Sequence, residues 1–238
     1  MGRVIFITGT DTGVGKTVLT SLCLSALLGA GESVIAIKPF CSGTREDAEI
    51  LDRLQGGRIS NEWLNPFFVE RPVSPSVGLR EEQRIVSIDR VSRHIDALSR
   101  RCDWLLVEGA GGLLSPLGEG YSLGDLILAK DCRVLLAARN RLGAINQSRL
   151  AINALPRRMW PDTTLVLMGF PGKDKASLSN KEILAELVMP AVVVSLPYLG
   201  LGVARSASRL RSLAKKNKKT LARVLGVAKL LPALATEQ

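Results

Sequence analysis

The clearest chemistry in this chain lies in the run Gly9-Thr10-Asp11-Thr12-Gly13-Val14-Gly15-Lys16-Thr17. It follows a short apolar run, Arg3 to Thr8 (RVIFIT), and precedes a helical pattern from Lys16 to Leu28. Strand, glycine-rich loop and helix in that order suit a phosphate-binding loop. The glycines let successive backbone N–H groups turn onto phosphate oxygens, and the helix adds its positive N-terminus. Lys16 is expected to reach the β- and γ-phosphates, and the Thr17 hydroxyl to bind Mg2+. One glycine is displaced against the usual pattern: Thr10 stands six residues before the lysine, and Gly9 precedes it.

Two further clusters could complete such a site. Glu108 ends the run Trp104-Leu105-Leu106-Val107-Glu108 and is followed by Gly109-Ala110-Gly111-Gly112. An acid at the carboxyl end of a buried strand faces the crevice where open α/β sheets bind ligands, which makes Glu108 the best candidate to hold the metal. Asp47 is a third candidate, although the helix dipole is sufficient reason for an acid at a helix start. The run Lys38-Pro39-Phe40-Cys41-Ser42-Gly43 leaves a second apolar strand. A lysine there is costly to bury unless it snorkels or pairs. Beside a phosphate site it would clamp transferring oxygens, and Ser42 could hold a substrate carboxylate.

What is missing also matters. His94 is the single histidine, in a polar helical context that suggests a surface residue with no role, and no nucleophile–base pair is evident. Cys23, Cys41, Cys102 and Cys132 share no metal-ligand spacing. Phosphoryl transfer fits this economy, because there the protein mainly positions groups and neutralises charge. A Ser/His or Cys/His hydrolase does not.

These residues need a frame. Apolar runs at Arg3–Thr8, Ser33–Lys38, Trp104–Val107, Arg133–Ala138, Thr164–Met168 and Ala191–Val194 alternate with helical patterns at Arg45–Leu54, Ile88–Arg100, Ser122–Lys130, Ala144–Leu155 and Asn180–Val188. Such alternation predicts an α/β, P-loop-containing three-layer fold: a mostly parallel sheet with helices on both faces. The uncharged stretch Leu187–Ala204 is broken by Pro190, Pro197, Gly200 and Gly202, so it reads as a buried strand and a turn, not as a membrane span. Beyond Arg205, Leu210, Leu213, Leu221, Val224, Leu225, Ala228 and Leu231 fall at roughly helical spacing. The expected organisation is a P-loop nucleotide-binding domain over 1–204 and a basic amphipathic helical segment over 205–238, packed on the same domain.

The 238 residues are 46% hydrophobic and 23% charged, which excludes collagen-like, disulfide-scaffold and wholly disordered chains. The formal charge of +10 is concentrated: from Arg205 onward, nine Lys/Arg against Glu237 hold +8 of it. Residues 1–204 are therefore near +2. With aromatics at only 4%, nucleic acid and membrane partners are not expected. Cysteines mostly in or beside apolar runs and the start Met1-Gly2-Arg3 point to a reducing, cytoplasmic setting.

Five motifs together resemble the dethiobiotin synthetases, ATP-dependent enzymes of biotin biosynthesis. They are GTDTGVGKT at 9–17, KPFCSG at 38–43, NPFFVERPVSPS at 65–76, VEGAGGLLSPL at 107–117 and LGAINQSRL at 142–150, spread in order over roughly residues 1–200. The displaced Gly9 is the form that family carries. The resemblance implies a cyclo-ligase that joins 7,8-diaminononanoate to CO2 (or bicarbonate) through a phosphorylated carbamate, with ATP as co-substrate and Mg2+ as cofactor. Both nucleophiles then belong to the substrate. Lys38 and Lys16 become the catalytic lysines, and Thr17, Asp47 and Glu108 the metal ligands. Gly13, Val14, Gly15, Lys16 and Thr17 take the triphosphate, with Asp47, Glu108, Gly109, Ala110 and Gly111 alongside. Thr12, Ser42, Gly111 and Gly112 take the diamine. A homodimer is implied, with the substrate's carboxylate tail held near Leu142–Asn146.

Some positions depart from the family pattern. Its adenine-reading Asn is absent from Leu167-Met168-Gly169-Phe170-Pro171, which leaves the base to Gly169, Phe170, Pro197, Tyr198 and Leu199. The family's Ser-Pro-His is Ser74-Pro75-Ser76, and Arg139 and Arg141 stand where small or apolar residues are usual. Two other readings remain open: a switch ATPase of the partition or cell-division type, and a non-catalytic nucleotide-binding relative. Against the first, Asp11 occupies the place of its signature lysine.

Overall fold

All six apolar runs form strands, and they pair into one sheet. In the computed structural model, which describes residues 2–172 and 174–227, the chain begins β1 (Arg3–Gly9), α1 (Lys16–Gly29), β2 (Val34–Ile37), β3 (Phe40–Ser42) and α2 (Glu46–Gln55). It continues through α3 (Asn61–Leu64), β4 (Phe67–Val69), α4 (Pro75–Glu81), α5 (Ile88–Ser99) and β5 (Trp104–Glu108). The short hairpin β6 (Pro116–Gly118) and β7 (Tyr121–Ser122) leads into α6 (Leu123–Leu128), β8 (Arg133–Arg139) and α7 (Ala144–Asn153). The last elements are β9 (Thr163–Met168), α8 (Asn180–Leu187), β10 (Val192–Leu196), α9 (Ala207–Lys216) and α10 (Lys218–Leu225).

The main sheet has the order β10-β9-β8-β1-β5-β2, with every pairing parallel. Parallel strands are covered on both faces, so they read as continuous apolar runs, and the pleat sends alternate residues to opposite sides. Ile5, Ile7, Trp104, Leu106, Leu135 and Ala137 pack on one side with α1. Val4, Phe6, Leu105, Val107, Val134 and Leu136 pack on the other with α5 and α6. These two cores are the outer seams of the three layers.

The fold adds a feature that the sequence pattern does not predict. β3 and β4 pair in parallel as a small separate sheet, Phe40 opposite Phe67 and Ser42 opposite Val69. Runs of three residues are too short to show a period. The stretch 187–204 starts at the end of α8, forms β10 and continues as loop to a short 3-10 turn at Val203–Arg205.

α1 is buried nearly all round, including Ser21, Leu24 and Ser25. The sheet covers one side, while α2, α9 and α10 pack against it elsewhere. Leu210, Leu221, Val224 and Leu225 are fully buried in the same core as Ile5 and Leu19, and the Arg133 guanidinium donates to the Leu225 carbonyl. Ala228 and Leu231 lie outside the described residues.

Candidate active site

The sheet register brings the charged residues together. β2 pairs with β5 so that Ile37 is opposite Val107, and the next residues on the two strands are Lys38 and Glu108. Trp104 and Leu106 face α1, so Glu108, two residues further, faces the start of that helix. Lys38 Nζ donates to Glu108 Oε1 at 2.8 Å and also to Asp47 Oδ2. Thr17 Oγ1, in the first turn of α1, donates to the same Glu108 oxygen at 2.7 Å. Glu108 is fully buried and Lys38 is 6% exposed. Asp47, for which the helix dipole alone was a sufficient account, is drawn into this cluster because α2 starts beside the end of β2.

Pairing sets the charge states. Burial alone would lower Lys38, but Glu108 and Asp47 outweigh it and hold the ammonium above the ordinary lysine value. Burial would raise Asp47, yet the Lys38 charge and its hydrogen bond hold it below the usual carboxylate range. Lys16 behaves differently: burial, then the nearby Lys38 charge, push it down to about 8. Its Nζ donates to the Asp11 carbonyl at 2.9 Å. The Cys41 thiol is pushed up to about 11, chiefly by burial, so it is no nucleophile at neutral pH.

The loop geometry explains the displaced glycine. A Cβ at Gly9 would lie 2.6 Å from Val14 Cγ2, because the Val14 side chain folds back against the end of β1. Gly13 and Gly15 both have positive φ, 69° and 101°, a conformation that L side chains rarely adopt. Thr12 is exposed at the loop tip, its N–H donating to Asp11 Oδ1 at 2.6 Å.

The loop after β5 lies alongside. Gly109 N–H donates to the Ile7 carbonyl at 2.9 Å, and a Cβ on Gly112 would be 3.4 Å from the Gly9 carbonyl. Ala110 and Gly111 complete that turn, which the Ser115 hydroxyl closes by accepting from Gly112 N–H at 2.8 Å. Ser42 ends β3, its hydroxyl buried without a hydrogen-bond partner among the described residues. On the other side of the phosphate loop opens a cavity of about 830 Å3, lined by Gly13, Gly15, Gly169, Phe170, Pro197, Tyr198 and Leu199 among others. No Asn or Gln side chain lines it among the described residues. Gly169 is packed so closely that a Cβ would lie 2.2 Å from Tyr198 N.

Comparison with known proteins agrees with this layout. The family model described as an AAA domain matches residues 3–206. The ATP-dependent dethiobiotin synthetase BioD of Anaeromyxobacter dehalogenans is 37% identical over 201 residues, covering 82% of this chain and 90% of that protein. The same-named protein of Bacillus subtilis is 31% identical over 191 residues, covering 78% and 83%. The chain belongs to the dethiobiotin synthetase family. Among solved structures, the MinD cell division protein of Aquifex aeolicus has a TM-score of 0.59 at 17% identity, covering 97% of this chain and 99% of that one. A plasmid partition protein from Borrelia burgdorferi bound to AMPPNP has a TM-score of 0.62 at 13% identity, covering 94% and 98%. At such identities the likeness shows the shared α/β fold alone, and the synthetase relatives decide between the family readings.

Asn65 supports the cluster although its residue type alone does not mark it. Asn65 opens the NPFF motif and is 1% exposed. Its amide donates to the Lys38 carbonyl at 2.7 Å and to the Pro39 carbonyl at 3.3 Å, and its Oδ1 accepts from Arg45 at 3.0 Å. It fixes the backbone that carries the central lysine, and the signal for it is an Asn-Pro pair inside a motif. His94 is not a surface residue. It is half-buried, stacked on Trp63 at 5.3 Å, and its Nε2 donates to the Trp63 carbonyl at 2.9 Å. The aromatic neighbours Trp63 and Phe67 draw it inward despite its polar helical context.

Proposed function

We propose that this chain is an ATP- and Mg2+-dependent dethiobiotin synthetase that closes the ureido ring on 7,8-diaminononanoate. The observation that carries the reading is Lys38, an ammonium held at 2.8 Å from buried Glu108, which also binds the Thr17 hydroxyl beside Lys16. In the first step the N7 amine adds to CO2, giving a carbamate and releasing a proton. The carbamate oxygen then takes the γ-phosphoryl group of ATP, and ADP leaves. The N8 amine attacks the carbonyl carbon of this mixed anhydride, closing the ring with loss of phosphate and a proton.

No protein nucleophile is consumed, so the chain's work is electrostatic. Lys16 and the loop N–H groups of Gly13 to Thr17 hold the triphosphate. Lys38 meets negative charge as it develops on the carbamate and transferring oxygens; such fixed charges act most strongly where water is excluded. Gly111 and Gly112 allow backbone approach to the diamine, and Thr12 and the unpartnered hydroxyl of Ser42 offer it polar contacts. Thr17, Asp47 and Glu108 would hold Mg2+. Glu108 Oε2 is buried without a partner among the described residues, and an all-oxygen set of few carboxylates suits a hard cation that keeps phosphate and water in its shell. When bound, the ion supplies charge neutralisation at the β- and γ-phosphates.

The same reading makes the protein a cytoplasmic homodimer. No helix among the described residues is long and apolar enough to cross a membrane. Leu142 and Leu150 are 79% and 65% exposed, beside a cavity lined by Gly143, Asn146 and Arg149, and a second subunit would cover them. The reading is tested by incubating the protein with bicarbonate, Mg2+ and ATP, with and without the diamine. Phosphate release that requires the diamine is expected; release that ignores it overturns the synthetase reading.

A further inference from the structure

We infer that Arg139, at the end of β8, is a positioning residue that aims the phosphate loop and supplies the open wall of the nucleotide cavity with positive charge. The inference rests on the nucleotide site proposed above. Arg139 Nε and Nη2 both donate to the Gly13 carbonyl, at 3.1 and 2.8 Å. In a trans peptide the C=O of one residue and the N–H of the next point in opposite directions. Holding the Gly13 oxygen outward therefore turns the Val14 N–H the other way, and in a phosphate loop that direction is toward the bound oxygens. Gly13 is free to rotate, with φ at 69° and no side chain. A glycine-rich loop needs an external hold if its N–H groups are to be set before the ligand arrives, and a fork of donors on one carbonyl provides it.

The second observation is charge. Arg139 forms no ion pair among the described residues, lies over the Phe170 ring at 5.7 Å and lines the 830 Å3 cavity beside Gly13 and Gly15. A cation without a carboxylate partner, placed on the rim of a triphosphate site, strengthens anion binding, and that contribution weakens as salt rises. Lysine carries the same charge but lacks the planar fork, so the two contributions separate by substitution.

The test compares wild type, Arg139→Met, Arg139→Lys and, as a control for the nucleotide site, Lys16→Ala. Mg-ATP affinity is titrated at low and high salt, kcat and KM are measured, and the thermal unfolding of each nucleotide-free protein is recorded. Arg139→Met is expected to raise Kd and KM for ATP about tenfold at low salt with kcat within about twofold, and to flatten the salt dependence. Arg139→Lys should keep the salt dependence and recover only part of the affinity. The inference is overturned if Arg139→Met binds Mg-ATP within about twofold of wild type, if its loss falls on kcat alone, or if only the unfolding temperature drops. Wild type and Lys16→Ala that bind equally poorly would instead remove the nucleotide-site reading itself.

Discussion

The two ends of the nucleotide crevice are built by different means. At the phosphate end, Lys38, Glu108 and Thr17 stand on strand and helix termini, buried and joined by side-chain hydrogen bonds of 2.7 and 2.8 Å. At the base end, Gly169, Phe170 and Pro197 to Leu199 are loop residues; Phe170 and Tyr198 are 39% and 42% exposed, and no Asn or Gln among the described residues lines the cavity. Interactions set by strand register are preorganised and resist substitution poorly, because one lost partner leaves a buried charge unpaired. Interactions offered by backbone and ring faces tolerate change but discriminate weakly. On the function proposed above, the phosphate end carries the rate and the base end little selectivity.

The largest expected effect tests that contrast directly. Lys38→Met should lower turnover by roughly 10²–10³-fold, the scale of losing one preorganised electrostatic contact, while Mg-ATP binding in a calorimeter stays within about threefold. Equal loss of binding would mean that Lys38 serves the nucleotide and not the transfer step.

A pH titration gives the next effect. Lys16 is pushed down to about 8, against 10.5 for an ordinary lysine. A bound triphosphate favours the charged form and raises that value again. Binding should therefore take up a proton between about pH 8 and the ordinary lysine value, and affinity should fall as pH climbs through this window, by at most about tenfold per pH unit. Calorimetry in buffers of different ionisation enthalpy measures the uptake; no uptake near pH 9 would contradict the lowered value.

At the base end, Gly169→Val forces a Cβ toward Tyr198 N, 2.2 Å from its ideal position. Overpacking of this kind costs about 1–3 kcal/mol, read as a lower unfolding temperature with phosphate-end chemistry intact. The smallest effect is the choice of base: kcat/KM for ATP, CTP and GTP should agree within about tenfold, since no Asn or Gln among the described residues lines the wall to pair with a base edge. A preference above about a hundredfold for ATP would show that backbone groups read the base after all.

Much of this was legible in the residues. The strand-loop-helix order around Gly9–Thr17 and the acid closing a continuous apolar run located the phosphate loop and Glu108, because both are local patterns. Lys38 was legible as an anomaly, a cation at the end of an apolar strand. Asp47 was legible only through the resemblance to the synthetases, since on its own a helix-start acid looks the same whether or not a lysine lies beside it. Asn65 and His94 escaped for a related reason: each depends on a neighbour 27 or 31 residues away.

Sequence alone determined the alternation of strand and helix, hence the buried parallel sheet, and the kinds of group available for catalysis, since these follow from period and side-chain type. Only the tertiary structure decided which of those groups meet. The register of β2 on β5 sets Lys38 beside Glu108, and the packing of α1 and α2 brings Thr17 and Asp47 to them. Such contacts span 9 to 91 residues of chain, and hydrophobic periodicity carries no information about distances of that kind.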